Sequence, residues 1–314
     1  MDAPAVTSPP IAIVAYNRPG HLARLLASIE RCRGFEGRCV RVFADGLGKS
    51  TDEEAWQKTR ELAREWSEKT GAECVFFERN HGVADAIYRA TSRMCAEHGR
   101  ALILEDDLVL HPDALEFHAM CLDRYADDGR VFQVSGHQWL DFRRERGRSP
   151  IALPMTTTWG WSTWRRAWEG FDMEQALEAG RKFTPEQIAA FNLGGAYDYY
   201  AIFKGRAVGD NHSWGILWYV HAFLAGGVTI YPSFSLIRNE GFDNSGVHCT
   251  EESSVPLLDV ADWRAATIFP LKVTPRLKID RPCLKRIQKL FRGERVERSW
   301  FEMTMERLFK RRTK

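Results

Sequence analysis

Residues 101–118 read ALILEDDLVLHPDALEFH, an apolar run that stops on three consecutive carboxylates. Leu102, Ile103 and Leu104 form a short continuous apolar stretch, the pattern of a strand buried on both faces. Glu105, Asp106 and Asp107 follow with no basic residue beside them in sequence. Like charges crowded at one strand end repel unless a cation or a ligand sits among them. The competing account is a solvated acidic turn ahead of the helix that opens near His111, Pro112 and Asp113, because carboxylates favour the positive end of a helix. What precedes the run decides between the two.

Working back toward the N-terminus, strands and helices alternate. IAIVAY (11–16) is apolar throughout and is followed from Pro19 by Leu22, Leu25, Leu26 and Ile29 at helical spacing. CVRVFA (39–44) comes next, then Ser50-x-x-Glu53 as a capping box and a helix to about Trp66. ECVFFE (73–78) is a third strand with a helix after Gly82, and ALILE is the fourth. Apolar strands separated by helices predict an α/β fold, a mostly parallel sheet covered on both faces. Ligands of such sheets bind beyond the carboxyl ends of the strands. Four consecutive ends here carry Asn17–Arg18, Asp45–Gly46, Arg79–Asn80 and the E-D-D run, so a nucleotide-type site is the better reading of the carboxylates.

Composition narrows the classes. The chain has 314 residues with 44 basic and 42 acidic side chains, net +2, so global charge names no partner and nothing points to nucleic acid. The balance is uneven: residues 281–314 hold 12 basic and 4 acidic side chains, which leaves about −6 for the rest. Seven cysteines, an odd number with no C-x-x-C pair, predict free thiols and a reducing, cytoplasmic setting. The start MDAPAVTSPP lacks the basic-then-apolar order of a signal peptide. Residues 211–237 carry no formal charge, yet His212, His221, Gly226–Gly227 and Pro232 break them into helix, turn and strand, not a membrane span.

Several motifs are excluded. GLGKS (46–50) has the tail of a phosphate-binding P-loop, but the required first glycine is Phe43. No G-x-G-x-x-G follows the first strand, no H-E-x-x-H occurs, and Gly160-Trp161-Ser162 lacks the closing glycine of a nucleophile elbow.

Taken together, AYNRPGHLARLLASI, the aspartate after the second strand and ILEDDLVLHPDAL resemble the GT-A-fold glycosyltransferases that use nucleotide-sugars. The likeness is to bacterial family-2-like enzymes and to the N-acetylglucosaminyltransferase I group, whose D-x-D-type motif also occurs as E-D-D. TTTWGWSTWRRAW and SWGILWYVHAFLAGGVTIYPSFSLIRNEGFDNSG are similar to the bacterial proteins as well, so the resemblance covers about residues 10–250. It implies a GT-A catalytic domain over 1–250, with a nucleotide-binding half at about 10–110 and an acceptor half at about 111–250. Residues 251–314 would form a basic helical extension.

The resemblance further implies that Asp107 ligates Mn²⁺ or Mg²⁺ between the two phosphates of a UDP-sugar. Asp106 and Glu105 would support the metal shell, the ribose or the sugar. Arg18 and Asp45 would meet the base, with Asn80 nearby and Arg238 at the diphosphate. Such chemistry is coherent, since a hard cation prefers carboxylate and phosphate oxygens and offsets charge on a leaving diphosphate. Relatives place an aspartate beside the tryptophan opening the SW…W helix as the base of an inverting transfer. Here that position is displaced, and Asp210, then His212, take the role, with Glu240 and Asp243 behind them. Trp161 and Trp164 are read either as core aromatics or as walls of a sugar pocket.

In the tail, Leu284, Ile287, Leu290 and Phe291, then Phe301, Met305, Leu308 and Phe309, recur at helical spacing. A basic amphipathic helix of this kind either packs on the catalytic domain or lies on anionic lipid at the inner face of a membrane. The expected function is inverting, metal-dependent transfer of a sugar from a nucleotide-sugar to a glycan or lipid-linked saccharide in bacterial surface-polysaccharide synthesis. A non-catalytic nucleotide-sugar or glycan-binding module is the rival from another class. A sugar-nucleotide pyrophosphorylase is the rival on a similar fold, although its glycine-rich loop is replaced by YNRPGHL.

Overall fold

A computed structural model describes residues 9–49, 51–243, 260–272 and 277–294. The expected alternation is present as β1 (Ile11–Ala15), α1 (Pro19–Glu30), β2 (Val40–Ala44), α2 (Glu53–Thr70), β3 (Glu73–Phe76), α3 (Gly82–His98) and β4 (Arg100–Glu105). The chain continues through β5 (Leu108–Leu110), α4 (Ala114–Arg124), β6 (Val131–Ser135), α5 (Arg143–Arg146), β7 (Ile151–Leu153) and β8 (Trp161–Trp164). Five helices follow, α6 (Arg165–Trp168), α7 (Met173–Gly180), α8 (Pro185–Phe191), α9 (Tyr199–Val208) and α10 (Gly215–Leu224). Then come β9 (Val228–Tyr231), β10 (Ile237–Asn239), α11 (Val260–Ala265) and α12 (Arg281–Phe291).

Eight strands form one sheet in the order β3-β2-β1-β4-β8-β6-β9-β7. The first four run parallel, β8 inserts antiparallel between β4 and β6, β9 is parallel to β6, and β7 closes the edge antiparallel to β9. Six strands therefore share a direction, and their carboxyl ends define one rim. Strand alternation divides the apolar side chains between two cores. Ile11, Ile13, Leu102 and Leu104 face α1, α2 and α4, whereas Ala12, Val14, Ala101 and Ile103 face α3 and the helices of the second half. A separate ribbon pairs β5 with β10 antiparallel.

One expectation needs correction, and two readings left open by the sequence are decided. The cap of α2 is Asp52, whose carboxylate accepts the Ala55 N–H at 3.1 Å, and Ser50 lies outside the described residues. The tryptophan-rich segment is strand β8, and its alternation buries both of the tryptophans proposed for a sugar pocket. Trp161 is fully enclosed among Trp168, Trp214 and Trp218 at centroid distances of 5.5–5.8 Å, and Trp164 donates to the Leu122 carbonyl on the opposite face. Lastly, α12 spends its apolar face on the protein, with Cys283 and Ile287 in the second core. That face is unavailable to lipid; Phe301, Met305, Leu308 and Phe309 lie outside the described residues. Among the described residues no helix is long and apolar enough to cross a membrane.

Candidate functional site

The E-D-D run is a tight connection: Glu105 ends β4, Asp106 and Asp107 form the turn, and β5 begins at once. Register places Glu105 opposite Val14, so the turn stands beside the end of β1. There the crowded carboxylates meet an arginine that is 88 residues away in sequence. Arg18 pairs with Asp106 and, through the same Nη2, with Asp107 Oδ2 at 3.1 Å. Pro19 keeps Arg18 out of the helical conformation, at φ −120° and ψ 74°, at the start of α1, which holds its side chain at this rim. Asp106 Oδ2 also accepts the Tyr16 N–H at 3.3 Å.

Electrostatics at the turn are unusual. Burial alone pulls the Arg18 pKa down, but Asp106 and Asp107 outweigh it and hold the guanidinium firmly charged. Burial raises Asp106 in spite of Arg18. Glu105 is pushed up to about 8, first by desolvation and then by Asp107 and Asp106. It has no hydrogen-bond partner among the described residues. Side-chain exposure is 20% for Arg18, 12% for Asp107 and 4% for Asp106, so Asp107 is the aspartate of the turn most open to a ligand.

The loop after β10 lies over this turn. The Glu240 N–H donates to the Asp107 carbonyl at 2.8 Å, and the Gly241 N–H donates to Asn239 Oδ1 at 2.8 Å. A Cβ on Gly241 would lie 2.4 Å from Asp107 Oδ2, so glycine lets the loop touch the carboxylate. Helix α1 holds the loop from its other side. Arg24 Nε donates to Glu240 at 2.6 Å, and His21 Nε2 lies 3.2 Å from the Glu240 carbonyl and 3.3 Å from Asp243. Glu240 and Asp243 are thus engaged as clamps.

Asp45 and Asn80 form a neighbouring staple. The Asp45 carboxylate accepts the backbone N–H groups of Gly46, His81 and Gly82, each at 2.9 Å, and the Asn80 amide at 3.2 Å. Those contacts occupy both carboxylate oxygens, so a base N–H would have to compete with them. The residue locks the loop after β2 to the loop after β3. Gly46 is required there, because its Cβ would lie 2.2 Å from the Arg79 carbonyl carbon. Asn80 remains exposed at the rim.

Arg238 is also placed differently from expectation. Ile237 and Asn239 flank it on β10, Ile237 buried in the first core and Asn239 bonded to the Gly241 N–H; alternation turns Arg238 to the other side, where its guanidinium lies 4.7 Å over the Trp263 ring. Asp210 and His212 are exposed on the connection between α9 and α10. Asp210 packs back on α9, its N–H bonding the Gly205 carbonyl at 2.8 Å.

Sequence reasoning missed the rim contribution of β6, whose end carries His137 and Trp139. Buried His137 is flanked edge-on by Trp139 and Trp159 at 5.1 and 4.6 Å, and Trp159 meets Phe242, the neighbour of Gly241, at 5.5 Å. Burial pushes His137 down to about 3, so its ring stays neutral. The available signal was SGHQW following VFQV, a polar and aromatic group after an apolar run.

A divalent cation fits this turn only in part. No group of three or more His, Cys, Asp or Glu side chains that could hold a metal occurs among the described residues. Asp107, with Asp106 behind it, offers the one or two carboxylates that suffice for Mg²⁺-type ions when substrate phosphates supply further oxygens.

No protein-family model matches the chain, and no curated protein matches its sequence. Among solved structures, one similar fold is the mannosyltransferase PcManGT from Pyrobaculum calidifontis in complex with GDP-Man and Mn²⁺. It has 17% identity over 71% of this chain and 72% of that one, TM-score 0.39. Residues 1–349 of S. aureus TarS in complex with UDP give 13% identity over 73% of this chain and 59% of that one, TM-score 0.42. Mouse xyloside xylosyltransferase 1 in its apo form gives 13% over 69% and 81%, TM-score 0.36.

Proposed function

We propose that the chain is a glycosyltransferase of GT-A type that moves a sugar from a nucleotide-sugar, a UDP-sugar by preference, to a saccharide or glycolipid with inversion. One observation carries the reading: an arginine and two aspartates from different elements converge at the carboxyl ends of β1 and β4, under a glycine-bearing loop. A diphosphate needs that pairing of a guanidinium with carboxylates able to share a cation. When bound, Mn²⁺ or Mg²⁺ would supply charge neutralisation of the leaving diphosphate. Arg18 would exchange part of its pairing with Asp106 and Asp107 for phosphate oxygens, and Asp107 would face the cation. Asn80 would lie near the base, and the clamp of Arg24 on Glu240 keeps Gly241 seated on Asp107.

The base of the transfer is assigned to Asp210, with His212 second. A general base must come within about 3 Å of the acceptor hydroxyl, and its removal costs about 10²–10⁴ in rate. Asp210→Asn is expected to lose UDP-sugar hydrolysis, used in place of transfer, by that order with donor affinity unchanged; His212→Ala should lose less. Normal turnover in Asp210→Asn beside a dead His212→Ala would move the role to the imidazole. The rival reading is a module that binds nucleotide-sugars without turning them over. Donor binding with no hydrolysis and no transfer to any saccharide would establish that rival.

Gly241→Ala tests the loop. Its methyl group must displace the end of the Asp107 side chain, so Mn²⁺-supported UDP affinity should fall about tenfold, the lower range for a group that orients a metal ligand. Thermal stability should change little, because the clash is with a movable side chain. Unchanged affinity by calorimetry would detach the loop from the site.

A further inference from the structure

We propose that the outward face of α12 docks on an anionic lipid bilayer, held by charge and without insertion of the helix. The inward face is committed: Cys283 and Ile287 are buried, and Phe291 packs on Trp139, Tyr197 and Tyr199. Arg281, Lys285, Lys289 and Arg292 recur at i, i+4, i+8 and i+11, which sets them in one row on the opposite face, and all four are exposed. The row is about 16 Å long at the rise of an α-helix. Arg281, Lys285 and Lys289 pair with no carboxylate among the described residues. Like charges at i, i+4 spacing repel one another, and an anionic surface relieves that repulsion.

The row is also held rigidly. Asp280 caps α12 through the Cys283 N–H at 3.1 Å and pairs with Arg146 at 2.6 Å. Arg286 pairs with Glu145, and Gln288 donates to the Leu193 carbonyl at 2.8 Å. Two large apolar side chains that the fold leaves exposed stand at the ends of the helix. Ile279, 42% exposed, precedes it, and Tyr197, 43% exposed, packs on Phe291 at 5.3 Å. Basic residues beside an aliphatic and a tyrosine suit the headgroup zone of a membrane, where tyrosine rings concentrate and anionic lipids attract lysine and arginine. A nucleic acid would leave Ile279 without a partner, and a convex helix offers no groove to follow a phosphate chain. Through Trp139 the helix adjoins His137 and Trp159, so docking would bring that part of the rim to the lipid surface.

The test is co-sedimentation of the full chain with phosphatidylcholine vesicles, with and without phosphatidylglycerol. Wild type should partition onto the anionic vesicles only, and release as salt nears 1 M, where the screening length is about 3 Å. Each basic residue at such a surface is worth roughly a fivefold change in partitioning, so R281Q/K285Q/K289Q should partition about 100-fold less. K285R/K289R keeps the charge and should partition as wild type does. Circular dichroism and thermal midpoint should be unaltered in both, since the positions are exposed; if the triple variant misfolds, Lys285→Glu alone must still weaken partitioning. Wild-type partitioning by the triple variant, or no partitioning of the wild type, overturns the proposal. So does equal affinity of the wild type for a single-stranded oligonucleotide, lost in the same variant, which would make the row a general polyanion site.

Discussion

Asp107→Asn should remove the cation-dependent part of UDP affinity, a loss of about 100-fold or more in the presence of Mn²⁺, and leave the fold intact. Asparagine keeps the shape of the side chain, and Arg18 retains its pair with Asp106. What disappears is the anionic oxygen at 3.1 Å from Arg18, on the more exposed aspartate of the turn. Losing one partner of a buried charge contact costs several powers of ten in extreme cases and at least one or two commonly. Wild type should bind Mn²⁺ poorly without nucleotide, because the described residues hold no group of three donors and Arg18 already neutralises the turn. Titration calorimetry with UDP, with Mn²⁺ and with both separates these effects. Equal UDP affinity in the two proteins, unaffected by Mn²⁺, would remove the metal from the proposed function and leave Arg18 as the phosphate contact.

The parts of the fold that were legible are those in which local pattern and tertiary context agree. IAIVAY, CVRVFA and ALILE are apolar on both faces because helices cover both, and the helices between them carry clean 3.6-residue spacing. The second half is less regular. WSTW is a four-residue strand inside a run of tryptophans, and β7 is three residues long, so periodicity has too few repeats to report itself. At the site, residue types were legible and partners were not. Asp45 looks the same in sequence whether it accepts a base N–H or three backbone N–H groups, and only the approach of the loop after β3 decides. Arg238 was expected at the diphosphate; as the middle residue of β10 its direction is fixed by the pleat. The carboxylates of the turn showed their need for a cation, but an arginine 88 residues upstream could not be seen to meet it.

That arginine makes the second strong prediction. Arg18→Gln leaves buried Asp106 without its ion-pair partner, an arrangement that typically costs roughly 3 kcal/mol or more. For a chain of this size that is a fall of about 6 °C or more in thermal midpoint near neutral pH. The pH dependence has a definite sign. Asp106 and Glu105 have folded-state pKa values raised above their unfolded ones, so the native state holds protons that the unfolded state has released. Stability associated with them is therefore present at low pH and is lost as pH rises from the unfolded carboxylate range through the folded values, about 8 for Glu105. Removing Arg18 raises both further, since its charge lowers each of them. The deficit of the variant should be small near pH 5 and large near pH 8. A divalent cation alone should then do what it does not do in wild type, raising the midpoint of Arg18→Gln at pH 8 by taking the place of the guanidinium beside Asp106 and Asp107. UDP affinity of the same variant should fall, because the phosphate contact is gone, so restored stability and restored binding come apart. Scanning calorimetry at the two pH values, with and without Mn²⁺, measures this. A variant as stable as wild type at pH 8, indifferent to Mn²⁺, would mean that water already satisfies the turn and that Arg18 is not its counter-ion.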